Sequence, residues 1–237
     1  MYYYDWTYLL LLPCMLFALW AQLRVKTTFS HYSVRSRSGM TGAEVARRIL
    51  NENGLFDVQV VSTGGELTDH YDPTAKVVRL SASTYSQSTV AALGVAAHEV
   101  GHACQHANGY APLRWRNAII PATRIGSTLA MPLFLIGVLL AGTAYLGSIG
   151  EPLMLIGICL FSLSTIFQLL TLPTEYNASR RAMQTLASMG ILAEDELTGA
   201  RKVLNAAALT YVAALASSLL SLFRLLLIFN SNSGRRR

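Results

Sequence analysis

Four stretches of this chain, residues 6–23, 125–150, 152–174 and 203–223, contain no Asp, Glu, Lys or Arg. A helix needs about 20 apolar residues to cross the ~30 Å hydrocarbon layer, and each run reaches or approaches that length. Lipid offers no hydrogen bonds, so such runs must satisfy their backbone internally, as helices do. The expected fold is therefore a mainly α membrane protein with four candidate transmembrane helices. The first run reads as an anchor and not a cleaved signal peptide. No basic stretch precedes it, Arg24 and Lys26 follow it, and no small-residue cleavage site ends it. Spans two and three carry no polar relay, which argues against a transporter.

The net charge of +6 is a topology signal and not a nucleic-acid signal. Of the 19 Lys and Arg, eleven lie between spans one and two, from Arg24 to Arg124, and Arg180, Arg181, Arg201 and Lys202 lie between spans three and four. The positive-inside rule then places both large loops in the cytoplasm and the N-terminus outside. The Arg235-Arg236-Arg237 tail conflicts with four full crossings, and the two loops outweigh it. Arg224, near the end of the last run, is expected to snorkel to the headgroups. Three cysteines (Cys14, Cys104, Cys159) cannot build a disulfide framework and read as packing residues.

Chemistry enters with His98-Glu99-Val100-Gly101-His102, set among small and apolar residues that read as a helix from about 88 to 107. Residues i and i+4 sit about 6 Å apart along a helix axis and roughly 40° apart around it, so both imidazoles can reach one ion. Glu99 stands beside the first of them, where a carboxylate can take a proton from an activated water without binding metal. The bland alternative is a buried helix whose histidines bond only to backbone. His106 shares the face but lies too far along the axis to join the same sphere, and His31 has no such context.

A catalytic zinc needs a third protein ligand and one open position. Asp5 and Glu151 fall on the other side of the membrane. Glu44 belongs to a capping box, Thr41-Gly42-Ala43-Glu44, that opens an amphipathic helix ended by Gly54. Glu194, Asp195 and Glu196 open a later helix, as its dipole favours. Glu175 follows the third span on the side of the motif helix, in a segment where Pro173 and Thr174 suit a helix start. Ser179 lies one turn further on the same face, placed to bond a ligand imidazole, and Asn177 is a weaker candidate for the same supporting role. The competing reading of Glu175 is a carboxylate held by the helix dipole. If Glu175 is not the ligand, His70 or Asp69 is next.

Residues 58–61 and 76–80 have strand composition. The second is expected as an exposed edge that could hold an extended peptide, or else as part of an ordinary hairpin. Between them the segment Glu66–Asp72 reads as a loop, with His70, and less so Tyr71, as candidates to stabilise an oxyanion.

The combination HEVGHA and PTEYNASRRA resembles the YugP-type membrane zinc metallopeptidases and, more distantly, the HtpX-like membrane proteases. The resemblance covers nearly the whole chain. It implies a gluzincin-like site holding one Zn2+ through His98, His102 and Glu175, with Glu99 as catalytic base. HtpX-like proteases carry Asp four residues after the Glu ligand, where this chain has Ser179. The organisation expected is an anchor (1–23), a small α+β zincin-like cytoplasmic domain (24–124), a transmembrane hairpin (125–172), a cytoplasmic helix bearing the Glu ligand (173–202), a fourth hydrophobic segment (203–229) and a basic tail (230–237). The implied function is a metalloendopeptidase in the bacterial cell membrane, acting on membrane or membrane-adjacent protein substrates from the cytoplasmic side, with the lipid bilayer as its other partner and no nucleic acid. A zinc-binding scaffold without activity and a zinc hydrolase of lipids are the rival readings. Nothing in the sequence sets the oligomeric state.

Overall fold

A computed structural model describes residues 6–143 and 145–233; residues 1–5 and the Arg235-Arg236-Arg237 tail lie outside the described residues. A 3-10 turn, Trp6–Leu11, leads into α1 (Leu12–His31). There follow α2 (Gly42–Glu52), β1 (Gln59–Thr63), β2 (His70–Asp72), β3 (Val77–Ser81), α3 (Ala82–Tyr85) and α4 (Val90–Ala107). Three long helices complete the chain: α5 (Ala111–Ala141), α6 (Gly147–Ser188) and α7 (Glu194–Ser233). Four helices, Thr7–His31, Ala111–Ala141, Gly147–Ser188 and Glu194–Asn232, are long and apolar enough to cross a membrane. The protein is mainly α with a small mixed sheet, as the uncharged runs imply.

The long helices overrun the boundaries expected from the sequence. α1 continues to His31, past the expected end of the anchor at residue 23; Thr27 Oγ1 donates back to the Leu23 carbonyl oxygen at 3.0 Å, which keeps its hydroxyl satisfied within the helix. Pro173 does not begin a helix but lies inside α6. A proline costs an interior hydrogen bond, yet helices of membrane proteins accommodate it where neighbours re-satisfy the freed groups. The helix opened by Glu194, Asp195 and Glu196 is likewise continuous with the fourth hydrophobic segment.

The chain divides into two compact units, residues 1–19, 115–171 and 211–237, and residues 20–114 and 172–210. In the first, α5 and α6 approach backbone to backbone at glycines. A Cβ on Gly137 would stand 2.6 Å from the Met154 nitrogen and one on Gly157 2.8 Å from the Ala130 carbonyl oxygen, the close approach that small residues permit in membranes. Phe134, Met154, Ile158 and Leu225 form its buried cluster. Thr165 and Ser218 share a hydrogen bond at 2.7 Å. Arg224 does not reach outward as expected. It is buried, its Nε donates to Thr7 Oγ1 at 2.9 Å, and its guanidinium lies 3.8 Å over the Tyr8 ring.

In the second unit β3 is the central strand, parallel to β1 and antiparallel to β2. Two sequence expectations fail here. The two stronger strands do not form a hairpin, and β3 is not an edge. The segment read as a loop supplies the extra strand β2, pinned by a turn in which Asp72 Oδ1 accepts from the Thr74 and Ala75 amides. α2 has the expected capping box, with Thr41 and Glu44 bonded reciprocally, and buries Val45, Ile49 and Leu50 in a core shared with Leu80, Leu93 and Leu186.

Candidate metal centre

α4 is capped by Thr89, whose side-chain oxygen accepts from the Ala92 amide. Its Ala and Gly positions leave it buried on nearly every side, so neighbouring helices come within backbone contact. At Gly101, the residue before His102, a Cβ would lie 2.7 Å from the Ala178 carbonyl oxygen of α6. This contact sets α4 beside the turn of α6 that carries Glu175.

Three side chains converge there. Glu175 Oε2 lies 3.2 Å from His98 Nε2 and 3.6 Å from His102 Nε2, and the candidate ligand atoms all lie within 4.8 Å of one another. Ligands at ~2.0–2.1 Å in a tetrahedron are separated by edges of about 3.3 Å, so the two separations are those a single ion demands. The other ring nitrogens are also occupied. Ser179 Oγ lies 3.1 Å from His98 Nδ1 and Gln105 Oε1 lies 3.0 Å from His102 Nδ1. Gln105 Nε2 donates to the Thr174 carbonyl oxygen at 2.8 Å and to Asn177 Oδ1 at 3.0 Å. Those two acceptors orient the amide, so Oε1 must accept from His102 Nδ1–H. Nε2 of His102 is then the lone-pair nitrogen, free for a metal. The residues present fit zinc.

Glu99 is buried at 8% exposure beside this group but does not belong to it. Burial pushes its carboxyl above the ordinary carboxylate range, against the pull of His98 and His102, while Glu175 and Asp69 add to the rise. Burial also presses the His102 imidazole down, but the Glu175 carboxylate, with Glu99 and Gln105, outweighs it and holds the ring above its usual value.

The remaining candidates are elsewhere. Asp69 accepts from the Ser81 amide and hydroxyl at 2.8 and 2.9 Å, which ties the segment before β2 to β3. His70 is exposed at the start of β2, with Nδ1 2.8 Å from the Thr68 carbonyl oxygen. In the neutral ring that bond keeps the proton on Nδ1, so Nε2 donates only as imidazolium. Tyr71 OH pairs with His106 Nδ1 at 2.9 Å. Cys104 is buried, and burial raises its thiol. Glu196 accepts from the Arg37 and Ala193 amides. Asn177, a weaker candidate, accepts from Gln105 Nε2 at 3.0 Å and from Arg181 Nε at 2.9 Å. Gln105 was missed by the sequence reading. Its position three residues after His102, on the same helix face, is the signal that could have found it.

The profile of a family described as "Putative neutral zinc metallopeptidase" matches residues 7–230. The chain is 50% identical over 211 residues, 89% of its length and 90% of the relative's, to "Putative membrane protease YugP" of Bacillus subtilis (strain 168). No solved structure matches the chain.

Proposed function

The chain belongs to the neutral zinc metallopeptidase family, and from that premise we propose that it is a multi-pass membrane endopeptidase that cleaves peptide bonds with one zinc held by His98, His102 and Glu175. The observation that carries the reading is the convergence of two Nε2 atoms on one Glu175 oxygen at 3.2 and 3.6 Å.

Zinc bound there supplies a Lewis acid and a water of lowered pKa. Gln105 keeps the His102 imidazole in the tautomer that leaves Nε2 open, and Ser179 Oγ can accept from His98 Nδ1–H when that ring turns Nε2 to the ion. The Glu99 carboxylate takes the proton of the water as its oxygen adds to the scissile carbonyl carbon. It then gives that proton to the amide nitrogen as the C–N bond breaks. A carboxyl whose proton affinity is raised by burial suits a group that must hold a proton between those events. β2 is an edge strand, so an extended substrate can add to it through main-chain hydrogen bonds. The distribution of Lys and Arg supports a cytoplasmic site, the Bacillus subtilis relative supports a bacterial cell membrane, and the membrane location suits membrane or membrane-adjacent proteins as substrates.

The test uses purified full-length protein with an unfolded membrane-protein substrate. Glu99→Gln is expected to keep its zinc and lose cleavage, and Glu175→Ala to lose zinc. Cleavage at the wild-type rate by Glu99→Gln would overturn the mechanism, and wild-type zinc content in Glu175→Ala would overturn the ligand set.

A further inference from the structure

A second candidate site shares no residue with the metal centre, although Tyr176, which lines it, directly follows Glu175 in the chain. A cavity of about 780 Å³, within the roughly 300–1,000 Å³ range of ligand sites, opens between α1, α6 and α7. Arg24 and Lys202 supply its charge, Thr28, Tyr32, Tyr176 and Asn205 its hydroxyls and amide, and no carboxylate lines it. Among the described residues no carboxylate pairs with Arg24 or Lys202. A neighbouring cavity of about 550 Å³ shares Tyr176 and Asn205 and adds Arg180 and Arg201, again without an acidic group.

Chain position sets the depth of the first cavity. Arg24 is the first charge after the uncharged run 6–23, and Lys202 is the last charge before the run 203–223. Tyr176 comes two residues after the run 152–174 ends. Three helices thus bring the ends of three apolar runs to one concave surface, at the level where headgroups meet hydrocarbon. Leu209, further into the last run, lines the same cavity, so an apolar wall accompanies the basic mouth. Isolated Lys and Arg at such boundaries are ordinary topology determinants. A concave pair of unopposed cations with four neutral hydrogen-bonding side chains is the arrangement that holds a phosphodiester between helices.

We propose that this cavity binds the headgroup phosphate of an anionic phospholipid. The chemistry is shared with free phosphate, and the lipid is favoured by the depth and by Leu209.

The test is native mass spectrometry of the full chain from neutral detergent mixed with equal phosphatidylglycerol and phosphatidylcholine. The wild type should retain phosphatidylglycerol in preference, and Arg24→Ala with Lys202→Ala should retain roughly tenfold less. Millimolar inorganic phosphate should leave the lipid in place. Equal retention of the two lipids, unchanged retention in the double variant, or displacement by inorganic phosphate would each overturn the assignment. Should the double variant lose helicity by circular dichroism, Lys202→Gln alters one exposed side chain and should lower retention about threefold; no change there counts equally against the site.

Discussion

Gly101→Ala separates the geometry of the metal centre from the stability of the fold. The added methyl would stand 2.7 Å from the Ala178 carbonyl oxygen and 3.3 Å from its carbonyl carbon and Cα. All three are backbone atoms, so no side chain can rotate away. Restoring van der Waals contact requires α4 and α6 to part by about 0.7 Å, and forcing such a contact costs ~1–3 kcal/mol. Alanine in place of an interior helical glycine returns about 0.5–1 kcal/mol, so the metal-free protein should lose little. Zinc binding has no such offset, because ligand distances tolerate only about ±0.2 Å and Glu175 rides on the helix that must move. The expected result is zinc affinity lower by roughly ten- to a hundredfold, as ~1.4 kcal/mol per decade gives. The assay is competition with a chelator at fixed pH, beside thermal unfolding of the metal-free form. Gly94→Ala, whose Cβ would meet the Ala200 Cβ at 3.2 Å, should cost less on both measures. A Gly101→Ala protein with native helicity and zinc affinity within twofold of wild type would refute the reasoning.

Gln105→Leu should lower zinc affinity about ten- to a hundredfold, because it removes the acceptor from His102 Nδ1 and the Gln105 Nε2 donor from the Thr174 carbonyl oxygen. Gln105→Glu keeps the acceptor for His102 and should recover part of that loss. Chelator competition on both variants checks the order, and equal affinities would remove Gln105 from the positioning of His102. Burial raises the Tyr71 phenol to about 12, above its ordinary 10. A folded pKa raised above the unfolded one means that the neutral phenol's contribution is intact below pH 10 and lost as pH rises to about 12. Denaturation series across that window should show a steeper stability loss in wild type than in Tyr71→Phe.

The parts of the structure legible in the sequence are those that a local rule decides. Uncharged runs give the long helices because lipid admits no alternative backbone. The i, i+4 histidines of α4 share a face by helix geometry alone. Thr41 and Glu44 cap α2 through atoms three residues apart. The misread features depend on partners far along the chain. β2 is three residues containing His and Asp, poor strand formers, and exists because β3 supplies its hydrogen bonds. Pro173 suits a helix start by local rule and yet lies inside α6. Arg224 is turned inward by Thr7 and Tyr8, more than two hundred residues earlier.

The metal centre divides along the same line. His98, Glu99 and His102 can be picked out because their chemistry is carried by residue type and spacing. Gln105 and Gly101 carry no such signature, since amide and glycine occur everywhere for other reasons. Their significance lies in one distance each: 2.8 Å from an amide to the Thr174 carbonyl oxygen, and 2.7 Å from an absent methyl to the Ala178 carbonyl oxygen. Both distances join α4 to the turn of α6 that holds Glu175. Two histidines on one helix can reach an ion wherever that helix lies, whereas the carboxylate arrives only if the second helix is held at this separation. Substitutions that alter the gap should therefore weaken zinc binding even though every proposed ligand and the proposed general base remain in the sequence.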